Sequence, residues 1–578
     1  MIFIFFITLF FLSENAYPEE QFQIEPIFVL PENTFNDPGI ETVEISGSLP
    51  AAVPVSEKAN SGSLDLQHRG IPGVQADMCL MGSSFNETGI LLNGFNITDV
   101  QTEHHNLDVP FTAADLDRIE IIRGPSIFVS GNALAGAVNF VTRRTDGPSL
   151  ISDFSYGGFN TQTVLLSFSH PCCRVSLEGK KSGGFRYDTD FKSWTISTVI
   201  DRKDWSGSPE ITTGYSDKEF GAFDFYTPGK GMPSKEWTKT FFSGLDMNYK
   251  TGEMVFKPGV YYRRHFDRFM LDVDKPGWFE NTHAVQTYGV KIPFRTGAAG
   301  ISDFGADAEA GQITSSNLGE HRDYRIGLYA GQSIFWIIRA DLAVRYDFHS
   351  VFGEQYSPSL NLSYDLNDLT LYSGIGRTFR FPSYTDLYYY DPANAGNPDL
   401  RKEHAWTADI GGKGRIGKNF VYDASSFFRC GRDVIDWVKS GSGWSVVNHD
   451  ISIWGVETSV ILQSQDEKDR AGLKYAFNRP ADKQPFELKY AYLEHRFEIF
   501  LACNMFLDIE TELTETFAKR SLNAKGYFLS DILVSKRISL LKLYAGINNL
   551  ENAVYEEIPG VKMPGRFLFA GIKTDIDL

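Results

Sequence analysis

Over most of the chain, apolar and polar residues alternate with a period of two, the pattern of strands with one apolar and one polar face. Val164, Leu166 and Phe168 alternate with Ser167 and Ser169, the chain turns at His170-Pro171, and Val175 and Leu177 then alternate with Arg174, Ser176 and Glu178. Leu342, Val344, Tyr346 and Phe348 alternate with Ala343, Arg345 and Asp347. Leu360, Leu362 and Tyr364 alternate with Asn361, Ser363 and Asp365, and after Asn367-Asp368 the pattern resumes at Leu369, Leu371 and Ile375. These stretches predict strands, two of them joined into hairpins by very short turns. Ile572, Thr574, Ile576 and Leu578 against Lys573, Asp575 and Asp577 predict a terminal strand. A soluble sandwich and a lipid-embedded barrel share this period, so the alternation alone leaves both open.

Length and the distribution of apolar runs favour the barrel. The run Met1 to Leu12 is too short to span a bilayer as a helix, and with Ser13-Glu14-Asn15-Ala16 it predicts a secretory signal cut after Ala16. No Lys or Arg precedes Lys58, so the usual basic start is missing, and a short membrane-tethered N-terminus is the alternative. Beyond Leu12 no stretch approaches the roughly 18 consecutive apolar residues of a spanning helix. A chain of 578 residues without strong helical periodicity fits a transmembrane antiparallel β-barrel with short periplasmic turns and long outer loops. From Gly158 to Leu578 there is room for about 22 tilted strands.

Residues 24 to 144 read differently, with many Gly and compact apolar runs such as Ile90-Leu91-Leu92 and Ile119-Glu120-Ile121-Ile122. They predict a small α/β domain that plugs the lumen of a wide barrel. The expected division is a signal over 1–16, a periplasmic extension over 17–39, a plug over 40–145 and the barrel over 146–578.

Composition narrows the function. Disorder is excluded by 42% hydrophobic and 14% aromatic residues, and a net charge of −18 argues against a nucleic-acid partner. The five cysteines form no C-x-x-C pair, and the adjacent Cys172-Cys173 has no assigned role. G-x-S-x-G and H-E-x-x-H are absent, and the run Gly412 to Lys418 is followed by Asn419 where a phosphate loop needs Ser or Thr. No enzyme activity, cofactor or metal site is expected. An energy-coupled receptor, a passive porin and an outer-membrane enzyme or adhesin are the classes to separate.

The stretch Asp115 to Pro125, followed by Gly131 and Ala135 to Thr142, resembles the plug signature of TonB-dependent outer-membrane receptors. Ile71-Pro72-Gly73-Val74 and Leu91-Leu92-Asn93-Gly94 match two further plug motifs, in family order. Arg377 to Ser383, Asp386-Leu387-Tyr388 and Gly396 to Glu403 resemble the mid-barrel motif. Asn548-Asn549-Leu550, Tyr555 and Pro564-Gly565-Arg566 resemble the closing motif. The resemblance implies a monomer in the bacterial outer membrane, in contact with its lipid, which binds a small molecule outside the cell and imports it with energy relayed by TonB. Three departures stand out: Met81 replaces the usual Arg before Gly82, Ala137 replaces a usual Gly, and Leu578 replaces the usual terminal aromatic. Met81 removes an expected plug ion pair, and Leu578 weakens the expected signal to the barrel-assembly machinery.

Within the family, Gly73 to Asp77, Asp99 to Asn106 and Arg264 to Asp267 look most like the cobalamin-type receptors. Leu92, Asn93, Gly94, Glu120, Arg123, Gly124, Pro125, Gly131 and Gly136 are the plug-motif residues. Glu120 and Arg123 are expected either to pair with the barrel wall or to stabilise only the plug's own fold. Ile24, Glu25, Pro26, Ile27, Phe28 and Val29 form the candidate TonB box, an extended segment suited to adding as a strand to a partner's sheet. Glu41 to Ile45 is its rival and is assigned to a plug strand.

Asp99, Gln101, His104, His105, Arg264, His265, Asp267 and Trp278 are the candidate ligand-binding residues. His104 and His105 are adjacent, would point to opposite faces of a strand and have no neighbouring ligand set, so a metal role is not assigned; a hydrogen-bonded structural pair is the alternative. Tyr261, Tyr262, Arg264, His265, Asp267 and Trp278 are expected to cluster in a barrel loop, with a membrane-interface girdle as the preferred role for the tyrosines. Asp99 to Asn106 contains no Lys or Arg, which suits a neutral ligand. A corrinoid is therefore the first expectation and a ferric siderophore the second.

Overall fold

The alternation along the chain becomes a division between the two faces of one closed sheet. The computed structural model describes residues 40–44, 64–124, 132–145, 147–297, 301–391, 393–441, 443–465, 468–480, 492–505, 507–521 and 525–578. The described residues form a 22-stranded antiparallel barrel that opens with Ser149–Gly157 and ends with Phe567–Asp577. These two strands pair and close the ring, with Lys573 opposite Asp153 and Ile572 opposite Phe154. The first strand thus starts before Gly158. No described helix is long and apolar enough to cross a membrane.

The expected hairpins are present, with small shifts. Thr161–His170 and Cys173–Ser182 pair across the two-residue turn Pro171-Cys172, one residue later than expected. Gly353–Leu366 and Leu369–Arg380 pair across Asn367-Asp368, where Asn367 has φ 51°, a conformation that Asn tolerates better than most residues.

Which face meets what is decided by burial. Val164 and Phe168 are 41% and 47% exposed on the outside, whereas Ser167 and Ser176 point inward and are buried. On Arg339–His349, Leu342 and Val344 are exposed while Arg345 and Asp347 are buried in the lumen. A sandwich would bury the apolar set; here the polar set is buried, the arrangement of a barrel whose outer band faces lipid. Inside, Arg345 is bonded to Asp347 at 2.8 Å and Arg295 to Asp303 at 2.7 Å.

One rim carries short turns and the chain end, and is the periplasmic rim; the other carries the longer connections 381–402 and 549–566. Most outer connections are shorter than expected: three residues join Ser315 to Gly319, and three join His349 to Gly353. Long strands replace long loops. Phe420–Ser440 and Gly443–Gln463 have 21 residues each, well beyond the roughly ten that cross a bilayer, and the paired backbone continues outside the membrane.

The plug's main sheet has the order Ile40–Glu44, Leu116–Arg123, Gly136–Thr142, Thr88–Leu92, Phe95–Asn96, with Gly136–Thr142 and Thr88–Leu92 parallel. The rival segment at Glu41 is a plug strand, paired with Leu116–Arg123. The described plug residues carry strands and short 3₁₀ turns. The apolar runs are four or five residues long, strand length rather than helix length. Leu80, Ile90, Leu92, Ile119, Ile121 and Val138 form the plug's core, which continues onto Phe242, Tyr261, Phe427 and Ile453 of the wall. Fully burying each such side chain stabilises the docked plug by about 1.5–3 kcal/mol.

Candidate functional site

The plug meets the wall through a seam of opposite charges. Plug carboxylates face wall cations: Asp65 with Arg520 at 2.8 Å, Glu87 with Arg429 at 3.4 Å, Asp99 with Arg263 at 2.6 Å, Glu103 with Arg380 at 2.7 Å, Asp108 with Lys218 at 2.5 Å and Asp115 with Arg174 at 3.1 Å. Ser176 and Ser197 also donate to Asp115, at 2.7 and 2.5 Å. Desolvation offsets much of each pair's attraction, but a misplaced plug would leave several buried charges unpaired, so the seam selects one docked orientation. None of these pairs is marked by local sequence, because the partners lie tens to hundreds of residues apart.

Arg123 and Glu120 divide between the two expected roles. Arg123 reaches wall Asp423 and Glu457, both at 3.4 Å. Glu120 is buried against Arg118 at 2.8 Å and Asn139 at 2.7 Å, so its bonds serve the plug's own sheet. Met81 lies in the apolar core, where packing replaces the ion pair that an Arg would make. Asn93 sits at a tight turn with φ 51°; its side chain bonds Thr142 and its carbonyl accepts from wall Lys291 at 2.7 Å. Leu92 is buried beside it, and the next residue, Gly94, donates its N–H to Asn139 at 2.9 Å. Gly124 and Gly136 have φ 67° and 132°. Pro125, Gly131 and the candidate TonB box Ile24 to Val29 lie outside the described residues.

The plug apex runs from Ile97 to Asp108 beneath the outer rim. Its acidic and amide side chains fold it on itself: Asp99 accepts from the Gln101 N–H, and Asn106 accepts from the Asp99 N–H, both at 2.9 Å. The outer connection 381–402 then covers it. The Tyr384 N–H donates to the Val100 carbonyl at 3.0 Å, and the Thr385 N–H to that of Gln101 at 2.9 Å. Both come from the short helix Tyr384–Tyr388, fixed by a reciprocal Ser383–Asp386 capping box. Gln101 and His105 are each 3% exposed.

Charge states follow from these partners. Burial would push the Asp99 carboxyl up, but Arg263 and nearby imidazoles bring it down to about 2. Asp77 is likewise held at about 2, where Arg69 and His104 outweigh burial. Burial pushes Glu103 up to about 8 against the pull of Arg380, since Asp386 and Glu403 share that one guanidinium.

The two histidines diverge, on a 3₁₀ turn, Glu103–His105, rather than on a strand. His104 Nδ1 is 2.8 Å from Asp77 Oδ1, and its ring stacks on Phe85 at 4.1 Å. This is the hydrogen-bonded structural pair. His105 turns to the wall instead, where its ring lies 4.5 Å from that of His265, 160 residues later in the chain. His105 Nδ1 is 3.8 Å from Asp108, and Nε2 is 3.6 Å from Glu236 and 3.7 Å from Asp267. In the folded chain His105 lies among side chains that the local sequence does not group with it: its potential ligand atoms fall within 4.8 Å of those of Asp108 and His265, and also of those of Glu236 and Asp267.

The expected barrel-loop cluster is a strand, Gly259–Met270, and splits by face. Tyr261, Arg263, His265 and Asp267 point inward and are buried; Arg264 is exposed on the outer face, and Trp278 is 56% exposed in the following loop beside Lys275. Arg264 and Trp278 therefore do not join the apex. Tyr262 lies outside against Tyr288, at 5.0 Å, as a girdle residue should. Tyr261 does not: its hydroxyl donates to Glu309 at 2.8 Å and its ring packs on plug Phe95. The period-two spacing Arg263, His265, Asp267 was the signal for the inward set, and Asp108 stands three residues after His105; Glu236 had no such signal in the local sequence.

A closed barrel with a folded domain seated in its lumen by breakable polar contacts is a gated transmembrane transporter. The family described as TonB dependent receptor-like, beta-barrel matches residues 130–550, and the TonB-dependent Receptor Plug Domain matches residues 26–138. The chain belongs to the TonB-dependent receptors. Members are transporters rather than enzymes, act with TonB and bind small-molecule ligands, and the barrel fits a bacterial outer membrane.

Solved structures agree on the fold. The siderophore receptor PirA from Pseudomonas aeruginosa is 16% identical with a TM-score of 0.74, over 93% of this chain and 99% of that one. A mutant of the ferric enterobactin receptor PfeA from the same organism is 14% identical with a TM-score of 0.74, over 94% and 98%. The copper transporter OprC is 16% identical with a TM-score of 0.76, over 94% and 98%.

Proposed function

We propose that this receptor imports a scarce metal, with a ferric chelate as the leading form of the cargo and a corrinoid as the second reading. The carrying observation is the chemistry of the plug apex. His104, expected to bind a neutral corrinoid, is engaged with Asp77, and Gln101 is buried under the outer connection. Buried atoms at the apex and the facing wall without hydrogen-bond partners among the described residues include His265 Nε2, Asp108 Oδ2 and Asp267 Oδ1, atom types that can ligate a metal. The similar structures point the same way, being a siderophore receptor, a ferric enterobactin receptor and a copper transporter. A passive porin or an adhesin is disfavoured by the filled lumen.

On this reading the plug is residues 40–145, the barrel 146–578, and the receptor works as a monomer with its apolar belt in outer-membrane lipid. Ile24 to Val29 takes the TonB contact by strand addition. The test is uptake by cells carrying the receptor, with and without collapse of the proton gradient. Isotope-labelled ferric siderophore, labelled divalent metal salts and labelled cyanocobalamin are compared. Gradient-dependent uptake of a metal form supports the proposal; gradient-dependent uptake of cyanocobalamin alone overturns it.

A further inference from the structure

Around His105 the seam holds more buried carboxylates than cations. The carboxylates are Asp99, Asp108, Glu236 and Asp267. Among the described residues, the Lys and Arg side chains within ion-pair distance are Arg263 on Asp99 and Lys218 on Asp108. Glu236 takes a hydrogen bond from the Tyr226 hydroxyl at 2.9 Å, which adds no charge. Two buried carboxylates are left without a fixed positive partner, a costly arrangement unless something compensates it.

The spacing indicates what does. The oxygens of Asp108, Glu236 and Asp267 stand 3.6–3.8 Å from the nitrogens of His105, too far for hydrogen bonds. In tetrahedral coordination with bonds of about 2.0 Å, neighbouring ligand atoms lie roughly 3.3 Å apart, so small closing movements suffice. Three of the atoms are buried and have no hydrogen-bond partner among the described residues: Asp108 Oδ2, Asp267 Oδ1 and His265 Nε2. His265 is held through its other nitrogen, Nδ1, at 2.9 Å from the Thr240 hydroxyl, the orienting contact a ligating imidazole needs.

We propose that His105, Asp108 and His265 bind one divalent transition-metal ion directly at the plug–wall seam, with Glu236 and Asp267 facing the other ring nitrogen of His105 and adding negative charge beside the ion. Imidazole nitrogens with carboxylate oxygens and no sulfur select ions of the zinc, nickel, cobalt or copper(II) class over calcium, magnesium or copper(I). His105 faces both groups and is the central residue. Of the three ligands, His105 and Asp108 belong to the plug and His265 to the wall. Movement of the plug splits the ligand set and releases the ion, so displacement and unloading are one event. As a transport site this rests on the metal-cargo reading above; as a binding site it stands by itself.

Full-length receptor, stripped with chelator and purified in detergent, is titrated calorimetrically with Zn²⁺, Ni²⁺ and Co²⁺ salts, and the Co²⁺ form is read by its visible absorption. The expected result is one ion per chain, with an affinity falling at least about tenfold in His105→Ala and in His265→Asn. The Co²⁺ spectrum should change in both. Gel mobility with and without heating reports whether each variant is folded, and Asp108→Asn serves as a milder variant if either misfolds. No binding by the folded receptor, or binding that these substitutions leave unchanged, overturns the proposal. A receptor that imports ferric chelate but binds no bare ion refutes this site and spares the metal-cargo reading. One that binds the ion here but imports no metal does the reverse.

Discussion

Arg380 on the barrel wall and Glu103 on the plug apex are joined at 2.7 Å, and the same guanidinium reaches Glu403 at 2.9 Å and Asp386 at 3.2 Å. One side chain therefore ties the plug to the wall and to the connection that covers the apex.

Arg380→Gln should loosen this tie. Removing the cation leaves three buried carboxylates facing one another, a loss on the order of 3–5 kcal/mol for a broken buried pair. The expected readouts are a lower midpoint for the plug's calorimetric transition and intermittent conductance in planar bilayers. A channel as closed and a plug as stable as the unaltered receptor would show that Arg380 is not a latch.

Plug stability should pass through a maximum with pH. Asp77 and Asp99 are lowered from 3.8 to about 2, so their contribution is present above about pH 4 and is lost as the pH falls toward 2, on the order of 2 kcal/mol each. Glu103 has the opposite sign. Its value rises from 4.5 to about 8, so its contribution is full below about pH 4.5 and is lost as the pH rises through 8. Calorimetry from pH 2 to 9 checks both limbs: Asp77→Asn should flatten the acid limb and Glu103→Gln the alkaline one.

Gly136→Ala should destabilise the plug by about 1–3 kcal/mol. Gly136 has φ 132°, and an added Cβ would lie 2.3 Å from the Ile122 carbonyl oxygen and 2.8 Å from Leu80. The neighbouring Ala137 already carries a methyl group at a buried position in the same strand. A plug transition unchanged in the Gly136 variant would contradict the clash.

Deleting Ile24 to Val29 should leave ligand binding intact and abolish import if, as proposed, the segment takes the TonB contact by strand addition. Parallel binding and uptake assays on the deletion separate the two effects. Undiminished import would place the coupling box elsewhere.

Alternation, length and motif order were enough to determine the barrel, its strand number, the terminal strand and the plug, because the side-chain period of a strand is written locally. The family followed from motifs in order along the chain. What the sequence could not supply was which faces meet. Arg264 and His265 are adjacent, and only the closed sheet sends one outward and the other to the plug. Asp65 and Arg520 are 455 residues apart and share a bond that no local pattern marks. Met81 was readable as a lost ion pair, but its place in the apolar core was not. The sequence shows Asp108 three residues after His105, but Glu236, His265 and Asp267 lie on wall strands more than a hundred residues away. The period of a strand decides which side chains share a face, while the docking of the plug inside a closed ring decides which faces touch.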